Sequence, residues 1–219
     1  MKGKFITFEG VEGCGKSTQA KLLVKYFMEV GFDVLYTREP GGPPISEKIR
    51  KILLSNSNKE MHKLTEVFLY MASRSQHTLE WIKPALDEGQ IVICDRYYDS
   101  TYAYQGNARK ISKDVIDYLN KVATTGLKPD ITFILDLPVE IGLKRIKKLP
   151  ENADGIDRLE GESLKFHQNV RSSYIELAKT ESTRVILLDG MENISKIRKQ
   201  IINIVNTKFN FNIQPEGKR

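Results

Sequence analysis

Gly10-Val11-Glu12-Gly13-Cys14-Gly15-Lys16-Ser17 is the stretch from which the rest of the chain can be read. It fits the pattern GxxxxGK[ST] at every fixed position, and each fixed residue has a physical task. Gly10, Gly13 and Gly15 let the backbone wrap an anion and aim its N–H groups inward, while Val11, Glu12 and Cys14 carry the peptide groups between them. Lys16 is placed to bridge the β- and γ-phosphates of a nucleoside triphosphate, the Ser17 hydroxyl to ligate Mg²⁺, and Thr18 to add a phosphate contact. The context agrees. Phe5 to Glu9 reads as a strand, and Ala20, Leu23, Val24 and Phe27 recur at helical spacing, with Gly31 beyond the helix end. A helix starting at the loop turns its positive N-terminus toward the same anion.

Outward from the loop, short apolar runs alternate with segments of helical period, the pattern of βαβ units building a parallel sheet covered by helices. The remaining strands are expected at Val34 to Thr37, Ile91 to Asp95, Ile131 to Leu137 and Val185 to Asp189. Ile45, Ile49, Ile52 and Leu53 mark one helix, and a longer helical region runs from about Leu64 to Leu86, stopped by Gly89. Ser112 is placed to cap a helix carrying Val115, Leu119 and Val122. Late helices carry Phe166, Val170, Tyr174 and Leu177, then Ile194, Ile197, Ile201 and Ile204. Lys147 to Gly155 breaks the pattern: Pro150, Asn152, Asp154 and Gly155 read as a mobile loop, flanked by Arg145, Lys147, Lys148 and Arg158.

A chain of 219 residues with 40% hydrophobic and 28% charged residues suits one globular domain. No apolar run approaches the ~18 residues of a membrane span. Met1 leads straight into a strand without a secretory pattern, so a cytoplasmic address is expected. Cys14 and Cys94 have no metal-ligand spacing and read as reduced thiols; His62, His77 and His167 have none either and read as surface or helix residues, and Trp81 as core. The 34 Lys and Arg against 28 Asp and Glu leave +6, a modest excess that reads as solvation and calls for neither a nucleic-acid nor a membrane partner.

Phosphate-binding loops serve GTPases, ATP-driven motors and small-molecule kinases alike. The guanine-reading NKxD motif is missing, since Asn120-Lys121-Val122-Ala123 lacks the carboxylate, and the chain is short for a motor. Asp95 closes the third strand, where open α/β sheets hold their ligands, and is the candidate acid of the Mg²⁺ shell. Arg96 beside it offers a planar fork for a second phosphate; a purely structural Asp95–Arg96 ion pair is the competing reading.

These residues carry a resemblance. Phe5 to Gly10, the loop, Thr37-Arg38-Glu39-Pro40-Gly41-Gly42, Ala72-Ser73-Arg74, Asp95-Arg96-Tyr97, Ser100, Tyr104-Gln105 and Asp157-Arg158-Leu159-Glu160 resemble thymidylate kinase, in the family's order and up to about Leu188. The resemblance implies the nucleoside monophosphate kinase fold, a five-stranded parallel sheet of order 2-3-1-4-5 flanked by helices. It also implies a cytoplasmic homodimer that transfers a phosphoryl group from ATP to dTMP with Mg²⁺. One domain over residues 1–209 is expected, with a mobile lid over about 145–160 and a polar tail over 210–219. By resemblance Arg96 grips the dTMP phosphate, Arg74 reads thymine, and Glu12 reads the sugar 3′-hydroxyl. Tyr70 stands where the family usually stacks a phenylalanine, Ser100, Tyr104 and Gln105 line base and sugar, and Glu39 belongs to a loop closing over the acceptor.

The loop holds no arginine, which resembles the bacterial branch with its catalytic arginine in the lid; Arg158 is then the leading lid cation and Arg145 packs on adenine. The lid departs from that branch in length and in showing Lys147 and Lys148 where arginine is usual; lysine neutralises charge but cannot fork onto two oxygens. Other P-loop nucleotide or deoxynucleoside kinases and a non-catalytic ATP-binding switch are the alternatives. Lys16→Ala is expected to abolish turnover while circular dichroism and melting temperature stay near wild type; near-normal turnover in that folded variant rules out the loop assignment.

Overall fold

Five short apolar runs become five parallel strands, of which the three central ones are covered on both faces, so most of their residues can be apolar. A computed structural model of the chain describes residues 3–147 and 157–211. Within them β1 (Lys4–Glu9) leads through the phosphate-binding loop into α1 (Lys16–Glu29), followed by β2 (Val34–Arg38) and α2 (Pro44–Leu54). Then α3 (Lys63–His77) passes through a π-helical turn, Thr78–Ile82, into α4 (Lys83–Asp87) and β3 (Ile91–Asp95). Next come α5 (Tyr98–Thr101), its π-helical continuation Tyr102–Ala108, α6 (Lys113–Ala123) and β4 (Ile131–Asp136). The described chain closes with α7 (Val139–Ile146), α8 (Leu164–Thr180), β5 (Val185–Asp189) and α9 (Ile194–Phe209).

The sheet has the order β2-β3-β1-β4-β5, as the resemblance implies. Its register sets Phe8 against Asp95, and Asp95 against Arg38, so the polar ends of three strands share one edge. Beyond that edge lies the loop after β1, where the strand order changes direction and such sheets take their ligands. Phe8, Val92, Ile93, Phe133 and Val170 pack the interior with essentially no exposure.

One contact fixes the loop against the far side of the sheet. A Cβ on Gly13, whose φ is 68°, would collide with the Gly142 carbonyl of α7, and a Cβ on Gly142 would collide with the Glu12 carbonyl. Glycine at both positions lets helix and loop touch backbone to backbone.

Several expectations are refined. The first strand starts at Lys4, the second runs on to Arg38, and the fourth stops at Asp136. The helical segment over Tyr98–Ala108 was not expected, because its aromatic and polar residues show no clean apolar period. Ser112 does stand at the N-cap of α6, but its side chain makes no capping bond. Val115 and Val122 on that helix are exposed, and Trp81 is half-buried, its ring edge-on to His77 at 6.2 Å, where core had been expected. His77 and His167 are buried. Most of the expected lid, 148–156, and of the expected tail, 212–219, lies outside the described residues. Phe211, inside the expected tail, packs on Phe27, Phe32 and Phe209 with ring centroids 4.7 to 5.7 Å apart, so the apolar body continues past 209.

Candidate active site

At the strand edge opens a cleft of about 230 Å³. Eleven of the residues singled out in the sequence line it: Glu12, Lys16, Ser17, Glu39, Tyr70, Arg74, Asp95, Arg96, Ser100, Tyr104 and Gln105. They arrive from β1, α1, β2, α3, β3 and the α5 segment, so only the closed sheet collects them. The loop wall follows from its backbone. Gly15, at φ 98°, enters α1 with no side-chain cap, leaving the first-turn N–H groups free of side-chain acceptors and pointed as an anion requires. Val11 and Cys14 bury their side chains beneath the loop, Gly10 sits under it at φ 137°, and Thr18 is exposed on the first turn. Burial pushes the free Cys14 thiol up, and Cys94 likewise, so neither is a reactive thiolate.

Lys16 Nζ donates to the Val11 carbonyl and to Glu12 Oε2, both at 3.5 Å, long for bonds from an ammonium and readily exchanged for phosphate oxygens. Burial and Arg96 push its pKa down, but Glu12 and the neighbouring Cys14 and Asp95 leave it raised overall, so it stays charged. Glu12 links the loop to Arg96 and Tyr104. Its Oε1 accepts from Arg96 Nη2 at 2.7 Å and from the Tyr104 hydroxyl at 2.6 Å. Burial opposes its ionisation, yet Arg96 and Lys16 hold the carboxyl well below the usual range.

Arg96 occupies the left-handed backbone region at φ 71°, its N–H bonded to the Phe8 carbonyl at 2.9 Å. Its Nη1 donates to Ser100 and Tyr174, and its guanidinium lies over the Tyr104 ring at 5.1 Å. No Asp95–Arg96 ion pair forms; Arg96 pairs with Glu12 instead. Asp95 instead accepts the Ser17 hydroxyl at Oδ2, and its Oδ1 is buried with no protein hydrogen bond among the described residues. A hydroxyl beside a carboxylate with a spare buried oxygen is the donor chemistry that suits a hard divalent cation.

On the opposite wall of the cleft Arg74 is fully buried. Its Nε meets Glu39 Oε2 at 2.7 Å, Nη1 meets Thr101 and Asn120 at 2.7 and 2.8 Å, and Nη2 meets the Tyr97 carbonyl at 3.1 Å. Four of the five guanidinium N–H groups are thereby engaged, leaving one on Nη2. Burial works against Glu39, but Arg74 and His77 lower its pKa, and His77 is itself tied to Thr37 at 2.7 Å. Tyr70 is nine-tenths buried on the cleft wall.

Two expected residues stand elsewhere. Arg145 is exposed on α7, donating to the Gly13 carbonyl at 3.3 Å on the outer side of the loop. Arg158 is not brought to the cleft: its guanidinium is buried, with Nη1 against Glu66 at 2.7 Å, Nε on the Leu53 carbonyl at 2.9 Å, and Nη2 without a hydrogen bond among the described residues. Lys147 is exposed at the end of α7, and Lys148 lies outside the described residues.

Sequence reading passed over Glu9, Arg50 and Tyr174. Arg50 lines the cleft and donates to the Pro40 carbonyl at 2.8 Å; its position on the polar flank of α2, one residue from Ile49, was the available signal. Glu9 ends β1 with no exposure, an anomaly for a strand-end carboxylate. It accepts from the Tyr97 N–H at 2.8 Å, the Ser100 hydroxyl at 2.6 Å and the Tyr174 hydroxyl at 2.7 Å. Burial pushes its carboxyl up to about 7 despite the pull of Arg96.

Comparison with known proteins agrees with this geometry. The family model described as thymidylate kinase matches residues 8–201. A protein of Geotalea daltonii named thymidylate kinase is 49% identical over 213 residues, covering 96% of this chain and 100% of its own. One from Thermoanaerobacter sp. with the same name is 45% identical over 205 residues, covering 94% of this chain and 98% of its own. The crystal structure of thymidylate kinase from Ehrlichia chaffeensis superposes with a TM-score of 0.76 at 32% identity, covering 94% of this chain and 99% of that one.

The Glu9 geometry has a pH consequence. Its folded pKa of about 7 lies above the ordinary 4.5, so between those values the folded protein holds the extra proton and stability falls as pH rises. Glu9→Gln keeps the site neutral, and its stability relative to wild type is expected to rise by up to roughly 3 kcal/mol from pH 4.5 to pH 7.5. Urea denaturation of both proteins across that range measures it; a constant difference rules out titration of Glu9 in that window.

Proposed function

The chain belongs to the thymidylate kinase family and phosphorylates dTMP with ATP, a step of nucleotide biosynthesis, and from that premise we propose the following division of labour among its residues. Lys16, with the N–H groups of the 10–17 loop and Thr18, holds the β- and γ-phosphates of ATP, and Arg145 covers adenine from the outer side of the loop. Arg96 takes the acceptor phosphate, with Arg50 the second cation on that side. The observation carrying this reading is the Arg96–Glu12 contact of 2.7 Å at the mouth of the loop, which stands an exchangeable cation between the two phosphate sites. Transfer is then mostly positioning and charge neutralisation.

Glu12 released from Arg96 by the incoming phosphate is free for the sugar 3′-hydroxyl, next to Tyr104 and Ser100. The Arg74 N–H left on Nη2 and the Gln105 amide address the thymine edge, with Glu39 holding Arg74 in place and the Tyr70 ring stacking on the base. Ser17 and Asp95 are the residues that would hold Mg²⁺, which supplies positive charge to the moving phosphoryl group.

A homodimer is part of the same reading. Neighbouring helices α2, α3 and α6 expose Ile45, Ile52, Leu64, Phe68, Val115, Tyr118 and Val122 by 43% to 68%, an apolar face suited to a second copy of itself. Cytoplasmic residence, checked by cell fractionation, is supported by two free buried thiols that suit a reducing compartment.

Two measurements test the proposal. ADP release with ATP and Mg²⁺ is expected to be at least about 100-fold more efficient with dTMP than with dCMP, dAMP, dGMP or thymidine, since a site built to pair with a base edge leaves buried polar groups unmatched by the wrong one. Comparable rates with all acceptors would sink the base-reading assignments. Light scattering at micromolar protein is expected to give about twice 25.0 kDa, and Phe68→Glu with Val122→Glu to give monomer; a wild-type monomer would dismiss the dimer.

A further inference from the structure

Arg158 and its surroundings form a heavily bonded charge cluster outside the phosphate sites. Glu66, on α3, has no exposure. Its Oε1 accepts from Gln105 Nε2 at 2.9 Å and from Arg109 Nε at 3.2 Å. Its Oε2 accepts from Arg109 Nη2 at 3.2 Å and from Arg158 Nη1 at 2.7 Å. Burial works against ionisation, but Arg109, Gln105 and Arg158 together hold the carboxyl below its usual range. A buried carboxylate with two guanidinium partners and an amide is committed to one geometry, because losing any partner leaves charge unpaired out of water.

The cluster joins segments far apart in the chain. Arg158 Nε reaches the Leu53 carbonyl at 2.9 Å and its backbone N–H the Leu54 carbonyl at 3.1 Å, tying segment 157–162 to the end of α2. Arg109 Nη2 also meets Glu162 at 2.6 Å. Within the segment, Asp157 Oδ1 accepts from the Leu159 and Glu160 N–H groups at 2.8 and 2.9 Å, and Glu160 Oε2 accepts from the Asp157 N–H at 3.1 Å. This hydrogen-bonded turn sends Arg158 inward to Glu66 while Asp157, Leu159 and Glu160 face the cleft. Gln105, which faces the cleft as well, is gripped by the other oxygen of the same carboxylate.

We propose that Arg158 is a positioning residue that acts through Glu66, clamping segment 157–162 and the Gln105 amide to one carboxylate so that the acceptor pocket is built as a unit. The clamp rests on the thymidylate kinase reading, and it assigns Arg158 to acceptor binding where the sequence pattern assigned it to the transferring phosphate. An isosteric Glu66→Gln removes the charge that both arginines need while keeping an oxygen for one of them. Arg158→Lys keeps the charge but cannot serve Glu66 and Leu53 together.

The test uses the full-length enzyme, with kcat and both KM values for wild type, Glu66→Gln, Arg158→Lys and the double variant, and melting temperatures recorded alongside. The expected result is a KM for dTMP raised about 10-fold in each single variant, a KM for ATP within about 2-fold of wild type, and a double variant no worse than either single one. A merely structural role would move both KM values together or none, and either result overturns the clamp. So does a kcat lower by about 1,000-fold in Arg158→Lys with both KM values unchanged, the signature of a contact made only in the transition state. If Glu66→Gln does not fold, Arg109→Lys, a partly exposed partner of the same carboxylate, is expected to raise the KM for dTMP alone by a smaller factor, and no rise overturns the proposal. A wild-type enzyme inert toward dTMP would defeat the family reading itself, an outcome separate from any difference between variants.

Discussion

Arg96 has to sit at the end of a strand, on a left-handed backbone, with its guanidinium directed back over the loop that follows a neighbouring strand. A non-glycine residue at φ 71° costs on the order of 1–3 kcal/mol and persists only where the surroundings over-determine it. Here they do. The Phe8 carbonyl holds its N–H, Glu12 holds Nη2, and Ser100 and Tyr174 hold Nη1. These partners come from β1, the loop, α5 and α8, so the strained residue is also the point where four parts of the fold are joined.

Around it, cations are stationed with carboxylate partners in place: Arg96 and Lys16 with Glu12, and Arg74 with Glu39. Buried pairs of this kind add little net stability, because desolvation offsets most of the attraction. Their value lies in orientation. A guanidinium held by a carboxylate is already desolvated and aimed, so an incoming phosphate exchanges one anion for another without reorganising the site. Glu9 lies behind this layer, its carboxyl kept near neutrality by burial while hydroxyl and amide donors converge on it.

Much of this was legible along the chain. The eight-residue loop and the strand before it could be read directly, because anion binding by backbone N–H groups demands glycines at fixed places and a helix starting at once. The five strands were legible as short apolar runs, continuous in the central ones because burial on both faces demands it, and β3 and β5 matched to the residue. The α5 segment was not, since its aromatic residues pack on partners far away in the chain: Tyr97 on Phe5, Tyr98 on the Arg184 guanidinium and Tyr104 on Phe166. Val115 and Val122 show the reverse case: a correct helical period whose apolar stripe faces outward, because period reports an amphipathic helix and not what covers it.

Arg158 marks the boundary most clearly. As a basic residue beside a loop that must meet phosphates, it carried the pattern of a catalytic cation; in the fold it is captured by Glu66, more than ninety positions earlier, and by a carbonyl at the end of α2. Sequence by itself determined the phosphate-binding loop, the parallel α/β plan and the residue types that line the cleft, because those follow from local backbone chemistry, hydrophobic period and ordered motifs. Which cation meets which carboxylate, and hence which charges remain for ligands, was decided only by tertiary structure, because an ion pair is set by distance in space and burial, and neither is a property of neighbours in the chain.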